Sequence, residues 1–148
     1  MTIHAASAKH LGARYGYDRW RPASSRYMFA GDTALTPDSH RMVHEKLVDV
    51  GRRLDVALLP IGHAPWWKPR FRTGHMTSAD ALMLFDRLGA RYMIPYHWGT
   101  FNHVTAGAHD AIKVLRELLH GHQHAQAVKI VEPGGSFELP LPEHVPAD

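Results

Sequence analysis

The sequence predicts a single α/β domain in which short β-strands alternate along the chain with amphipathic α-helices. Three observations support this prediction. The length of 148 residues suits one domain. Hydrophobic residues make up 45% of the chain and charged residues 21%, which is typical of a globular protein and not of a disordered one. Short apolar runs also alternate with segments whose apolar residues recur every three or four positions.

Four strands are predicted from apolar runs that are short enough for strands. The runs cover residues 2–8, 26–30, 55–61 and 91–96. The last three runs are nearly continuously apolar, which is expected of strands that are covered on both faces. Pro60 and Pro95 have no N–H group to donate within a sheet, so each predicts the end of its strand.

Three amphipathic helices are predicted, over residues 40–54, 77–88 and about 108–119. Thr77, followed three residues later by Asp80, predicts a capping box at the start of the second helix, and Gly89 predicts its end. Gly121 predicts the end of the third helix.

The last part of the chain predicts two closing strands, over residues 127–131 and 136–139, around the turn Pro133-Gly134-Gly135. Prolines recur after residue 139. The predicted organisation is therefore one domain over residues 1–139 and a frayed, Pro-rich tail over residues 140–148.

Composition excludes several classes of function. Cysteine is absent, which excludes disulfides, thiolate metal sites and a cysteine nucleophile. The net charge of +3 comes from scattered basic residues, so no nucleic-acid partner is expected. No apolar run is long enough for a transmembrane segment and no signal peptide is recognisable, so we expect a cytoplasmic location. The 13 histidines favour metal-dependent chemistry.

Polar residues with metal-binding side chains follow three of the predicted strands. They are His10, Asp32 and His97. Because ligands of open α/β sheets gather at the carboxyl ends of the strands, these side chains are expected to meet at one edge. Two imidazoles and a carboxylate suit zinc, iron or manganese. The alternative is that the histidines are structural and that Asp32 only caps a turn.

Four segments of the sequence together resemble a known family. They are YMFAGDT (27–33), DVALLPIG (55–62), His75-Met76 with the following 77–81, and HWGTF (97–101). In this order they resemble the C-terminal half of metallo-β-lactamase-fold hydrolases, in the branch of the N-acylphosphatidylethanolamine-hydrolysing phospholipase D. The resemblance implies an αββα sandwich of which this sequence carries the C-terminal half only.

The resemblance also implies roles for individual residues. His10 would complete the first metal site, Asp32 would bridge two metal ions, and His97 would complete the second site. The implied cofactor is zinc, two ions per complete site, with iron or manganese as alternatives. His75 would lie near the substrate, a small or lipid-like phosphodiester, where it stabilises an oxyanion or protonates the leaving group. Alternatively, His75 only packs beside Met76.

The sequence departs from the family in one important way. The H-x-H-x-D-H motif, which supplies the first metal ligands of the family, does not occur in these 148 residues. We therefore expect weak metal binding and little hydrolysis from this polypeptide alone. The alternative function is a non-catalytic remnant or interaction module, whose open sheet is buried by the missing N-terminal half or by homo-oligomerisation.

Two further groups of residues have open interpretations. The histidines of His120-Gly121-His122-Gln123-His124 could substitute for the missing motif or bind metal adventitiously. Trp66, Trp67 and Phe71 could line an apolar substrate mouth or cover the edge of the core.

Overall fold

A computed structural model describes residues 27–39, 41, 45, 54–62, 74–102 and 106–140 of the chain. The strand predicted over residues 2–8 lies outside the described residues, as does most of the helix predicted over 40–54. Arg41 and Glu45, the described positions inside that helix, are helical. Leu54, its predicted last residue, is not helical, and its carbonyl accepts the Arg91 N–H at 3.0 Å beside the sheet.

The described strands form one parallel sheet in the order β1-β2-β3. These strands are β1 (Tyr27–Phe29), β2 (Val56–Pro60) and β3 (Tyr92–Tyr96), and each lies within a range that the sequence predicts. Their parallel arrangement places all three carboxyl ends at the same edge of the sheet. The α/β prediction is confirmed, and three of its strands are in place.

Of the two prolines predicted to end strands, one does so and the other does not. Pro60 is the last residue of β2, whereas Pro95 lies inside β3 and pairs with Leu59. Tyr92 donates its N–H to the Asp55 carbonyl, so even-numbered residues of β3 face β2. Pro95 faces the opposite edge of β3, where its missing N–H costs no hydrogen bond to β2.

Two helices follow the strands, α1 (Ser78–Leu88) and α2 (Asp110–Leu119). The predicted capping box of α1 is confirmed: Thr77 Oγ1 accepts the Asp80 N–H at 3.1 Å, and Asp80 Oδ2 accepts the Thr77 N–H at 3.0 Å. Gly89 ends α1 with φ 58°, as predicted. At the end of α2 the capping residue is His120, and the left-handed Gly121 follows it with φ 84°.

Both helices pack against one face of the sheet and bury a common core with it. Ala57, Leu59 and Met93, which point to this face, belong to the same cluster as the buried residues of α1 and α2. On the opposite face the edge strand β1 exposes apolar surface, since Tyr27 is 56% exposed and Phe29 69% exposed, whereas Val56 of β2 is 2% exposed. Within the described ranges, no helix has the length and apolar character needed to cross a membrane.

The prediction of two closing strands near the end of the chain is wrong. Residues 127–131 contain one isolated bridge, between Val128 and Met93, and residues 136–139 form no strand. The Lys129 N–H donates to the Met93 carbonyl at 2.8 Å on the outer edge of β3. The next hydrogen bond on this edge would need an N–H from residue 95, and Pro95 has none. The domain boundary at residue 139 stays a prediction, because residues 141–148 lie outside the described residues.

Candidate metal-binding and catalytic site

The first part of the candidate site follows β1. Gly31 adopts a left-handed conformation, with φ 66°, and turns the chain at the carboxyl end of the strand. Asp32 comes directly after this turn, with its side chain 27% exposed. The turn therefore brings a carboxylate to the edge of the sheet and leaves it accessible to solvent.

The second part follows β3 and has an unusual backbone conformation. His97 has φ 71°, and within the described residues it is the one non-glycine residue with positive φ. Such a conformation is costly for a histidine and is found mainly where the surrounding structure enforces it. Hydrogen bonds help to hold this loop: the Gly99 N–H donates to the Ala108 carbonyl at 2.8 Å, and Trp98 Nε1 donates to the Pro95 carbonyl at 3.3 Å.

The third part lies between β2 and α1. The Gly62 carbonyl accepts the Ser78 N–H at 3.2 Å, which ties the end of β2 to the start of α1. A Cβ atom at Gly62 would lie 2.8 Å from the Met76 carbonyl oxygen, so only glycine allows this close approach. The approach brings His75, just before Met76, to the same edge as Asp32.

Asp32 lies between the two imidazoles. Its Oδ2 atom is 3.3 Å from His75 Nε2 and 3.6 Å from His97 Nε2. The ring centroids of His75 and His97 are 6.4 Å apart, so the two rings flank the carboxylate and do not stack on each other. His97 is the most accessible of the three, with its side chain 49% exposed.

Tyr96 is a neighbour of this cluster that no motif in the sequence indicates. Its hydroxyl donates a hydrogen bond to the Gly31 carbonyl at 2.5 Å. Burial raises the pKa of Tyr96, and the negative charge of Asp32 raises it further, so the phenol stays protonated and acts as a donor. The register of the three strands places Tyr96 and Phe29 on the same face of the sheet, and no local pattern in the sequence encodes this register.

The donor atoms fit a metal ion in type and spacing, but the described set is partial. Two ligands at about 2.0–2.2 Å from a tetrahedral zinc ion lie about 3.3–3.6 Å apart, which matches the separations of Asp32 Oδ2 from each imidazole. Within the ranges described, no group of three or more His, Asp or Glu side chains is arranged to hold a metal ion. Asp32 with one imidazole therefore makes a pair of ligands that needs further donors.

The predicted site residues have different outcomes. Asp32, His75 and His97 lie close together, whereas His10 lies outside the described residues, as do Trp66, Trp67 and Phe71.

The alternating histidines after α2 do not join this cluster. His122 Nε2 lies 3.1 Å from Oδ2 of Asp86, in the last turn of α1 and thus at the opposite end of that helix from His75.

The parallel sheet, the helices on one face and the polar cluster at the strand ends define a partial metallo-β-lactamase fold. Residues 1–98 match the family model described as the Beta-lactamase superfamily domain, and the chain belongs to this family. The recognition made from the four sequence segments is thereby confirmed.

Three curated relatives are similar to this chain. A metal-dependent hydrolase of Listeria monocytogenes is 32% identical over 111 residues, which are 75% of this chain and 39% of the relative. A metal-dependent hydrolase of Methanosphaerula palustris is 36% identical over 110 residues, 74% of this chain and 41% of the relative. The mitochondrial N-acyl-phosphatidylethanolamine-hydrolyzing phospholipase D of Saccharomyces cerevisiae is 36% identical over 75 residues, 49% of this chain and 14% of the relative. The chain thus spans less than half the length of each of them.

Proposed function

We propose that this chain contributes part of the metal centre of a metal-dependent hydrolase that cleaves phosphodiesters or related esters. The observation that carries the proposal is the position of the Asp32 carboxylate between the imidazoles of His75 and His97. Family membership and the two relatives named metal-dependent hydrolases support the same kind of activity. The name of the yeast relative favours a lipid-like substrate.

Each residue has a distinct proposed role. Asp32 would bridge two metal ions, His97 would complete one metal site, and His10 would complete the other. Zinc is the proposed metal, with iron or manganese as alternatives, since all three accept imidazole and carboxylate ligands. The metal ions would stabilise the negative charge that develops on the scissile group and lower the pKa of water.

His75 would act on the substrate. Its Nε2 atom is close to Asp32, and its side chain is 26% exposed, so it can reach both the carboxylate and a ligand from solvent. An imidazole in this position can donate a hydrogen bond to a developing oxyanion or a proton to the leaving group.

Zinc binding by the purified 148-residue chain tests the proposal. We expect Asp32→Asn and His97→Ala each to weaken zinc affinity by at least about tenfold in isothermal titration calorimetry, because each removes a ligand. The matched controls are Asp86→Asn and His122→Ala, which alter a carboxylate–imidazole pair of 3.1 Å at the other end of α1. Equal zinc affinity in all four variants and the unchanged chain would overturn the proposal.

Hydrolysis of bis(4-nitrophenyl) phosphate tests whether the chain is complete for catalysis. We expect turnover close to background, because the described ligand set is partial. Tight binding of two zinc ions with turnover that Asp32→Asn abolishes would contradict this expectation of incompleteness and would support the hydrolase function.

An interaction module is the second candidate function. The exposed aromatic side chains of the edge strand β1 favour it, since Tyr27 is 56% and Phe29 69% exposed. In this alternative, a polypeptide that supplies the N-terminal half of the family fold, or a second copy of the chain, would cover these side chains.

A further inference from the structure

We propose that Tyr96 is a positioning residue, which fixes Asp32 relative to His97 through its hydrogen bond to the Gly31 carbonyl. This inference rests on the proposed function, because the relative position of Asp32 and His97 matters only if they bind a common group. Nothing in the chemistry requires Tyr96 to touch the metal or the substrate. Tyr96 would affect the site only by fixing the backbone turn that carries Asp32.

The sheet order explains why such a link is needed. Asp32 follows β1 and His97 follows β3, and β2 lies between these two strands. Adjacent strands are about 4.8 Å apart, so the ends of β1 and β3 are separated by about 10 Å and share no backbone ladder. Tyr96 is opposite Pro60, the last residue of β2, and its side chain crosses β2 at this level to reach Gly31.

The hydrogen bond acts on the peptide group that leads into Asp32. The Gly31 carbonyl belongs to the same planar peptide unit as the backbone nitrogen of Asp32, so fixing this oxygen orients the start of Asp32. Gly31 has φ 66° and, lacking a Cβ atom, can reach many other conformations. The hydrogen bond from the Tyr96 hydroxyl therefore restricts the conformation of Gly31, the most flexible residue of the turn.

Packing holds the Tyr96 ring in the required place. The ring stacks on Phe29 with the centroids 5.0 Å apart and an interplanar angle of 23°. Because Phe29 is the last residue of β1, the stack and the hydrogen bond join the same two strand ends at two points. The next residue after Tyr96 is His97. The carboxyl end of β3 therefore leads directly into one proposed metal ligand, His97, and positions the other, Asp32.

The test compares Tyr96→Phe with Tyr92→Phe. Both changes remove one hydroxyl from β3, but the Tyr92 ring lies at the other end of the strand, 5.3 Å from the Phe137 ring between centroids. We expect Tyr96→Phe to weaken zinc affinity by about tenfold and to shift the imidazole NMR signals of His97 in the metal-free chain. Tyr92→Phe should change neither, and the midpoints of thermal unfolding of the two metal-free variants should be similar.

The outcomes separate this inference from the proposed function. If Asp32→Asn and His97→Ala lose zinc affinity while Tyr96→Phe keeps the affinity of the unchanged chain, the positioning role is overturned and the proposed function stands. If zinc binding is insensitive to Asp32→Asn and His97→Ala, both are overturned.

A second variant keeps the test decisive if Tyr96→Phe does not fold. Phe29→Leu keeps the Tyr96 hydroxyl but removes the stacked ring, and a smaller loss of zinc affinity, about threefold, is then expected. Unchanged affinity in that variant would overturn the inference.

Discussion

At the scale of single residues, one buried hydrogen bond joins the two helices. Ser78, the first residue of α1, has no exposed surface, and its Oγ donates to the Ala111 carbonyl in α2 at 2.7 Å. Ser78→Ala is expected to lower the free energy of unfolding by about 1 kcal/mol, because it removes this buried bond. Urea denaturation measures the change, with the exposed Ser136→Ala as the matched control. Equal free energies of unfolding for the two variants would contradict the prediction that the Ser78–Ala111 hydrogen bond stabilises the fold.

The residues of the candidate site differ in how far the sequence predicts them. Asp32 and His97 could be selected because each directly follows an apolar run of strand length, and the ends of parallel strands meet. The distance of His75 from Asp32 depends on the close approach of Gly62 to Met76, which no local pattern encodes. The contact of Tyr96 with Gly31 depends on which strands are neighbours, and this order is a property of the whole sheet.

At the scale of elements, the end of α1 depends on the conformation of one glycine. Gly89 has φ 58°, and a Cβ atom built there would meet nothing within 4 Å, so the cost of a side chain is conformational and not steric. Gly89→Ala should therefore reduce the free energy of unfolding by about 1 kcal/mol, and Gly89→Asn by less, because asparagine tolerates this conformation better.

Gly74 provides the control for this prediction. A Cβ atom at Gly74 also meets nothing within 4 Å, but its φ is not in the left-handed region. Gly74→Ala should be neutral or slightly stabilising, since it only restricts the unfolded chain. Guanidinium denaturation that gives the same loss for Gly74→Ala and Gly89→Ala would show that the left-handed conformation is not the cause.

The elements themselves were predictable where their signals are local. Both ends of α1 follow from Thr77, Asp80 and Gly89, which cap the helix with atoms a few residues away in the sequence. The two closing strands failed for a non-local reason. Their apolar pattern suits a strand, but the edge of β3 that they would join contains Pro95, and pairing there stops after the Val128–Met93 bridge.

At the scale of the whole molecule, the two faces of the sheet are unequal. Helices α1 and α2 cover one face, while the other exposes Tyr27 and Phe29. Parallel sheets are normally covered on both faces. The relatives are more than twice as long as the part that this chain matches, so their additional length is sufficient for a second layer. Within the described residues, Tyr27 and Phe29 are the exposed aromatic side chains of this face, and a second copy of the chain would remove them from water.

Self-association of the isolated chain is the resulting prediction. Sedimentation velocity over a range of concentrations should show oligomers that increase with concentration, because association removes exposed aromatic surface from water. Tyr27→Lys places a charge beside Phe29 on β1, where the tyrosine is 56% exposed, and should shift the chain towards monomer. Phe101→Lys is the control, since Phe101 is 84% exposed but lies in the loop after β3. A chain that stays monomeric throughout, or that responds equally to both substitutions, would show that the exposed aromatic side chains of β1 do not drive association.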